Sequence, residues 1–130
     1  TLKFKDFLKD VIYRFKVKGI RTSIFIDPKI EMVEGAKFCE TDRIELYTED
    51  YAINYLSNRE QAIKPYFLAA KRAKKLGIEV NAGHDLSLVN LDFFAKEMPN
   101  LAEVSIGHAL ISDALYLGLE NTIQMYKRLL

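Results

Sequence analysis

Apolar positions recur at helical spacing in the first stretch of the chain. Phe4, Phe7, Leu8, Val11, Ile12 and Phe15 lie three or four residues apart, lysines fill most of the remaining positions, and Gly19 follows. This predicts an amphipathic helix from Leu2 to Lys18. The pattern then changes to short β-branched and aromatic runs. Thr22–Asp27 reads as a buried parallel strand, because it is a continuous apolar run rather than an alternation. Pro28 ends it and suits the first turn of a helix over Lys29–Phe38. Arg43–Thr48 is a second strand. A loop is expected over Glu49–Asn58, then a long helix over Arg59–Leu76 with a kink or break at Pro65 and a cap at Gly77. The third strand, Glu79–Ala82, leads into Gly83-His84. A short helix over Leu91–Glu97 follows, and a fourth strand, Glu103–Ile106, leads into Gly107-His108. Ala109–Leu130 reads as helix, interrupted near Gly118.

Strict alternation of helix and strand implies an α/β fold with a parallel sheet and right-handed crossovers. Four strands fit an open doubly wound sheet or one half of an eight-stranded barrel. The chain has no Gly-x-Gly-x-x-Gly and no Walker motif, which removes the best support for a nucleotide-binding open sheet. It also has no internal linker, so residues 1–130 are expected to form one unit.

Charge and composition narrow the function. Nineteen basic residues oppose 18 acidic ones, for a net charge of +1. That balance gives no support for nucleic-acid binding. Hydrophobic residues make up 49% of the chain, enough for a real core. No apolar run reaches the length of a membrane span. The single cysteine, Cys39, excludes an internal disulfide and reads as a small core residue, which fits a cytoplasmic setting. The charged first residues lack a signal-peptide core and an initiator Met. The chain is therefore expected to be part of a longer polypeptide.

In parallel α/β folds, reactive residues sit at the C-terminal ends of strands. Those ends carry Asp27, then Glu45 with Tyr47 and Thr48, then Asn81 with His84, then Ser105 with His108. Glu45 lies between Ile44 and Leu46. It reads either as a carboxylate paired with an interior Lys or Arg, or as a catalytic carboxylate in the barrel mouth. His84 can act as a general acid or base near neutral pH, or serve structure alone. His108 opens the last helix, whose first N–H groups point at any anion bound there. Phosphate binding and a purely geometric Gly107 turn both remain open at that point. No close His/carboxylate ligand pair is present, so no metal is expected. Phe93, Phe94, Tyr116 and Tyr126, at helical spacing, read as core.

Val80-Asn81-Ala82-Gly83-His84-Asp85-Leu86, Asn90, Leu101 through Ile111 and Met125-Tyr126-Lys127-Arg128-Leu129 together resemble the pyridoxine 5′-phosphate synthase family. Ser23–Asp27 and Ile44–Thr48 fit the same family in the same order. The resemblance covers essentially the whole chain, but only the C-terminal half of the family's length. It implies the C-terminal half of a TIM (β/α)8 barrel, with four parallel strands alternating with helices. It also implies condensation of 3-amino-2-oxopropyl phosphate with 1-deoxy-D-xylulose 5-phosphate, giving pyridoxine 5′-phosphate, phosphate and water. No metal or organic cofactor is implied. By resemblance His84 is a proton donor and Glu45 stabilises the transition state, while Asp85, Gly107 and His108 contact the aminoketone phosphate. The family forms large homo-oligomers (an octamer is implied), and a missing N-terminal half is expected to complete the barrel. The other reading is a non-catalytic phosphate-binding half-barrel that pairs with a partner. Tyr47 stands where members often carry His, Glu49 where they often carry Gly, and Asp85 where some carry Gly.

Overall fold

A computed structural model describes residues 2–130. A single 3-10 turn at Leu2–Phe4 leads into α1 (Lys5–Lys16). The alternating units are β1 (Ser23–Ile26), α2 (Ile30–Phe38), β2 (Arg43–Tyr47), α3 (Glu49–Leu76), β3 (Glu79–Gly83), α4 (Leu91–Glu97) and β4 (Leu101–Ser105). The chain closes with α5 (His108–Leu117) and α6 (Leu119–Lys127), separated at Gly118 as the pattern predicts.

The four strands lie in the order β1-β2-β3-β4, and every neighbouring pair is parallel. Each crossover therefore steps the same way. Right-handed connections that all step one way put their helices on one face of the sheet. A doubly wound sheet reverses direction at a switch point and places helices on both faces. The observed order is that of a barrel wall.

One face of the sheet holds the core. Ile44 and Leu46 of β2 and Val80 and Ala82 of β3 are buried against the helices. Ala69, Ala70 and Ala73 form a stripe of small buried residues on α3, so that the helix can lie close against the sheet. Tyr51, Tyr66 and Phe94 fill the space between α3 and α4, with the Tyr51 and Phe94 rings 4.9 Å apart in an edge-on arrangement. Their polar ends are satisfied. The Tyr51 hydroxyl donates to the Asn90 carbonyl at 2.7 Å, and the Tyr66 hydroxyl donates to the Tyr47 carbonyl at 3.0 Å. Burial raises the pKa of both phenols, Tyr66 to about 12. Cys39 is buried, as expected, and burial raises its thiol pKa as well.

The opposite face carries Phe25, then Arg43, Glu45 and Tyr47, then Glu79, Asn81 and Gly83, then Glu103 and Ser105, matched across the strands by the pairing register. No helix covers it. Phe25 is consequently 52% exposed, so β1 is covered on one side and is not the fully buried strand its composition predicts.

Three further expectations change. Residues 49–57 are helical rather than a loop, and α3 is interrupted at Asn58 (φ −161°, ψ 90°) rather than at Pro65. The Asn58 side-chain oxygen accepts the Gln61 N–H at 2.9 Å, which caps the second half of the helix. Pro65 removes one donor from an early turn of that second half, a loss the helix absorbs. Tyr116 is 90% exposed, whereas Phe94 and Tyr126 are core.

Candidate active site

The C-terminal ends of β2, β3 and β4 meet at a shallow cleft of about 380 Å³. Phe25, Glu45, His84, Ser105, Ile106, Gly107 and His108 line it. Four of the five residues singled out from the sequence thus share one cleft. The fifth, Asp85, stands beside it as a partner of His84.

Gly83 and the strand register bring Glu45 and His84 together. Tyr47 pairs with Gly83, and Gly83 pairs with Ser105. A Cβ built on Gly83 would fall 2.4 Å from the Ser105 carbonyl oxygen and 2.9 Å from Glu45 Oε1. The missing side chain is what lets β4 and the Glu45 carboxylate close on β3 directly beneath His84.

His84 has φ 97°, in the left-handed half of backbone space that β-carbon sterics disfavour. Its N–H donates to the Ser105 carbonyl at 3.1 Å. Its Nδ1 lies 2.9 Å from Asp85 Oδ2. An ionised carboxylate only accepts, so Nδ1 is the donor there and Nε2 remains available for proton exchange. The Tyr47 ring meets the His84 ring edge-on at 5.3 Å, and the His108 ring lies 6.4 Å away on the same side of the sheet.

Tyr47 donates its hydroxyl to Glu49 at 2.8 Å. That hydrogen bond, with burial and nearby carboxylates, pushes the phenol up to about 12. Tyr47 therefore keeps its proton at neutral pH, and its hydroxyl is committed to Glu49. Tyr47 and Glu49, the two positions where a departure from the family's pattern is expected, are thus bonded to each other.

Among the described residues that line the cleft there is no Lys or Arg. The electropositive feature there is the start of α5, where Gly107 is the cap and His108 the first helical residue. The first N–H groups of a helix have no partner inside it and attract an anion.

Below the cleft, Arg43 spans three strands. It pairs with Glu79 on β3 and, at 2.7 Å, with Glu103 on β4, and its side chain is 12% exposed. An interior arginine is thus present, but it is committed to Glu79 and Glu103 and is not the partner of Glu45. At the N-terminal end of the strands such a network serves stability rather than chemistry. Asn81 joins it weakly, at 3.5 Å from Arg43. Asp27 turns away into a separate cavity of about 790 Å³ that it shares with Lys29, Tyr47 and Glu49. Phe25 and Ile106 complete the cleft and were not marked by any polar signal in the sequence. Only their placement in the folded sheet reveals them.

A parallel sheet wound in one direction, with Glu45, His84 and His108 gathered at its C-terminal edge, defines a segment of a barrel-type α/β protein. The family described as "Pyridoxal phosphate biosynthesis protein PdxJ" matches residues 1–130. The chain belongs to that family. It is 58% identical over 130 residues to a pyridoxine 5′-phosphate synthase of Christiangramia forsetii, covering 100% of this chain and 55% of that protein. It is 60% identical over 125 residues to the synthase of Bacteroides thetaiotaomicron, covering 96% of this chain and 53% of that protein. The chain spans about half the length of the curated relatives it matches. Among the described residues, no helix is long and apolar enough to cross a membrane.

Proposed function

We propose that this chain supplies the C-terminal half of a pyridoxine 5′-phosphate synthase barrel. The barrel would condense 3-amino-2-oxopropyl phosphate with 1-deoxy-D-xylulose 5-phosphate to give pyridoxine 5′-phosphate, phosphate and water. One observation carries the reading: Glu45, His84, Gly107 and His108 converge on one cleft at the C-terminal edge of the sheet.

Each residue has a role that its position permits. The helix start at Gly107-His108 holds the phosphate of the aminoketone and fixes its orientation. His84 delivers and removes protons through Nε2 during condensation and water loss. Glu45 stabilises positive charge on an imine-like intermediate. Asp85 contributes at the edge of the same phosphate site. No metal or organic cofactor takes part. The uncovered inner face of the sheet, with Phe25 and the Glu45 carboxylate open on one side, fits a complementary N-terminal half that completes the barrel and supplies the sugar-phosphate site. The assembled protein is a cytoplasmic homo-oligomer in this reading.

The test uses the complete polypeptide that carries this segment. His84→Ala should abolish formation of pyridoxine 5′-phosphate while inorganic phosphate still binds with about its original affinity. Equal loss of phosphate binding and turnover would make His84 structural. Retained phosphate binding with no turnover even in the unsubstituted protein would identify a non-catalytic phosphate-binding half-barrel.

A further inference from the structure

His84 is held in a backbone conformation that nothing local favours. The residue is not glycine, and its φ of 97° persists only where surrounding contacts over-determine it. One buried residue supplies most of those contacts. Thr48, at the end of β2, is fully buried. Its hydroxyl donates to the Gly83 carbonyl at 2.7 Å and accepts the Asp85 N–H at 3.1 Å. The Thr48 N–H donates to the same Gly83 carbonyl at 3.2 Å.

The Gly83 carbonyl belongs to the peptide group before His84, and the Asp85 N–H belongs to the peptide group after it. The orientation of the first plane about the His84 Cα sets φ, and that of the second sets ψ. The Thr48 hydroxyl is thus bonded to both peptide planes at once, and it constrains both dihedrals of His84 and with them the direction of its Cα–Cβ bond. The Ser105 carbonyl, accepting the His84 N–H at 3.1 Å, holds the first plane from the other side.

We infer that Thr48 is a positioning residue for His84, whose hydroxyl clamps the two peptide groups around His84 and aims the imidazole into the cleft. The inference rests on the proposed role of His84 in proton transfer. Thr48 touches no reacting atom.

Thr48→Val keeps the shape of the side chain but neither donates to Gly83 nor accepts from Asp85. In the complete polypeptide it should lower kcat by about 10- to 100-fold, the effect expected of a reacting group displaced by about an ångström. The KM for 3-amino-2-oxopropyl phosphate should rise by less than kcat falls, because Gly107 and His108, the main proposed phosphate contacts, do not touch Thr48. Thr48→Ser, which keeps the hydroxyl, should restore most of kcat. A crystal structure of Thr48→Val should show His84 leaving its positive φ. A folded Thr48→Val protein with wild-type kcat, or with His84 still at positive φ, overturns the inference. If His84→Ala itself remains active, the proton-transfer reading fails first, and His84 φ in the Thr48→Val crystal still decides whether the clamp exists. Should Thr48→Val not fold, hydrogen exchange at the Asp85 amide of the unsubstituted protein decides. Protection supports the clamp and unprotected exchange overturns it.

Discussion

His84 Nδ1 lies 2.9 Å from the carboxylate of Asp85, the next residue along the chain. The pair has the geometry by which a carboxylate selects one tautomer of an imidazole and leaves the other nitrogen to exchange protons. Both side chains remain partly exposed, so the gain lies in orientation more than in Coulomb energy. Asp85→Gly should therefore lower kcat about tenfold, or about 1.4 kcal/mol of transition-state stabilisation. Asp85→Asn, which still accepts a hydrogen bond, should fall between the two. Steady-state kinetics check this. A raised KM for the aminoketone phosphate with unchanged kcat would instead confine Asp85 to its place in the phosphate site and remove its role in orienting His84.

Gly83 tolerates no side chain. An added Cβ would meet the Ser105 carbonyl oxygen at 2.4 Å and the Ser105 Cβ at 2.8 Å, and backbone atoms within a sheet cannot swing away. Gly83→Ala should cost about 1–3 kcal/mol of stability through overpacking. It should also lower activity by moving Glu45 and Ser105 away from His84. Denaturant midpoints read the first effect and kcat the second.

Asn58 caps the second half of α3 through its bond to the Gln61 N–H. Asn58→Ala should cost about 1 kcal/mol, and Asn58→Asp should be close to neutral. Thermal unfolding of the two variants separates loss of the cap from a general loop effect.

Asp42 joins the starts of β1 and β2. It accepts the Thr22 N–H at 2.8 Å and the Thr22 hydroxyl at 3.0 Å, and pairs with Lys16 at 3.4 Å. Burial alone would raise its pKa, but Thr22 and Lys16 outweigh that and hold the carboxyl below its ordinary value of 3.8. A depressed folded-state pKa gives stability that is fully present above the unfolded value and is lost as pH falls through the folded one. Asp42→Asn should lower Tm at pH 7, and the gap to the unsubstituted protein should narrow as pH falls below about 4. Exposure limits the effect to about 1 kcal/mol. Melting curves between pH 7 and pH 2 test it, and a gap that stays constant would sink the linkage.

The sheet was legible from the sequence because helical periodicity gives way to short segments with apolar positions, each ended by Pro, Gly or a polar turn. The site was legible because strand ends in parallel α/β folds concentrate polar groups, which marks Glu45, His84, Gly107 and His108 in turn. The helix over residues 49–57 was not. Glu49, Asp50, Asn54 and Ser57 give it the composition of a loop, and its anchors are Tyr51 and Tyr55, whose rings meet edge-on at 5.4 Å within the core. Helicity there is decided by packing rather than by propensity. Pro65 misled for the related reason that the chain broke where Asn58 offered a cap.

By itself, the sequence determined the alternation of helix and strand, the polar residues at the strand ends and the resemblance that groups them. Tertiary structure alone decided which of them meet. It gave Arg43 to Glu103, sixty residues away, rather than to Glu45, and set the Thr48 hydroxyl across His84 from 35 residues before Gly83, while its one-directional strand order is the barrel wall that the resemblance implies. Local periodicity fixes which face of a strand is apolar. Long-range partners depend on the register between strands, which is settled only when the whole sheet packs against its helices.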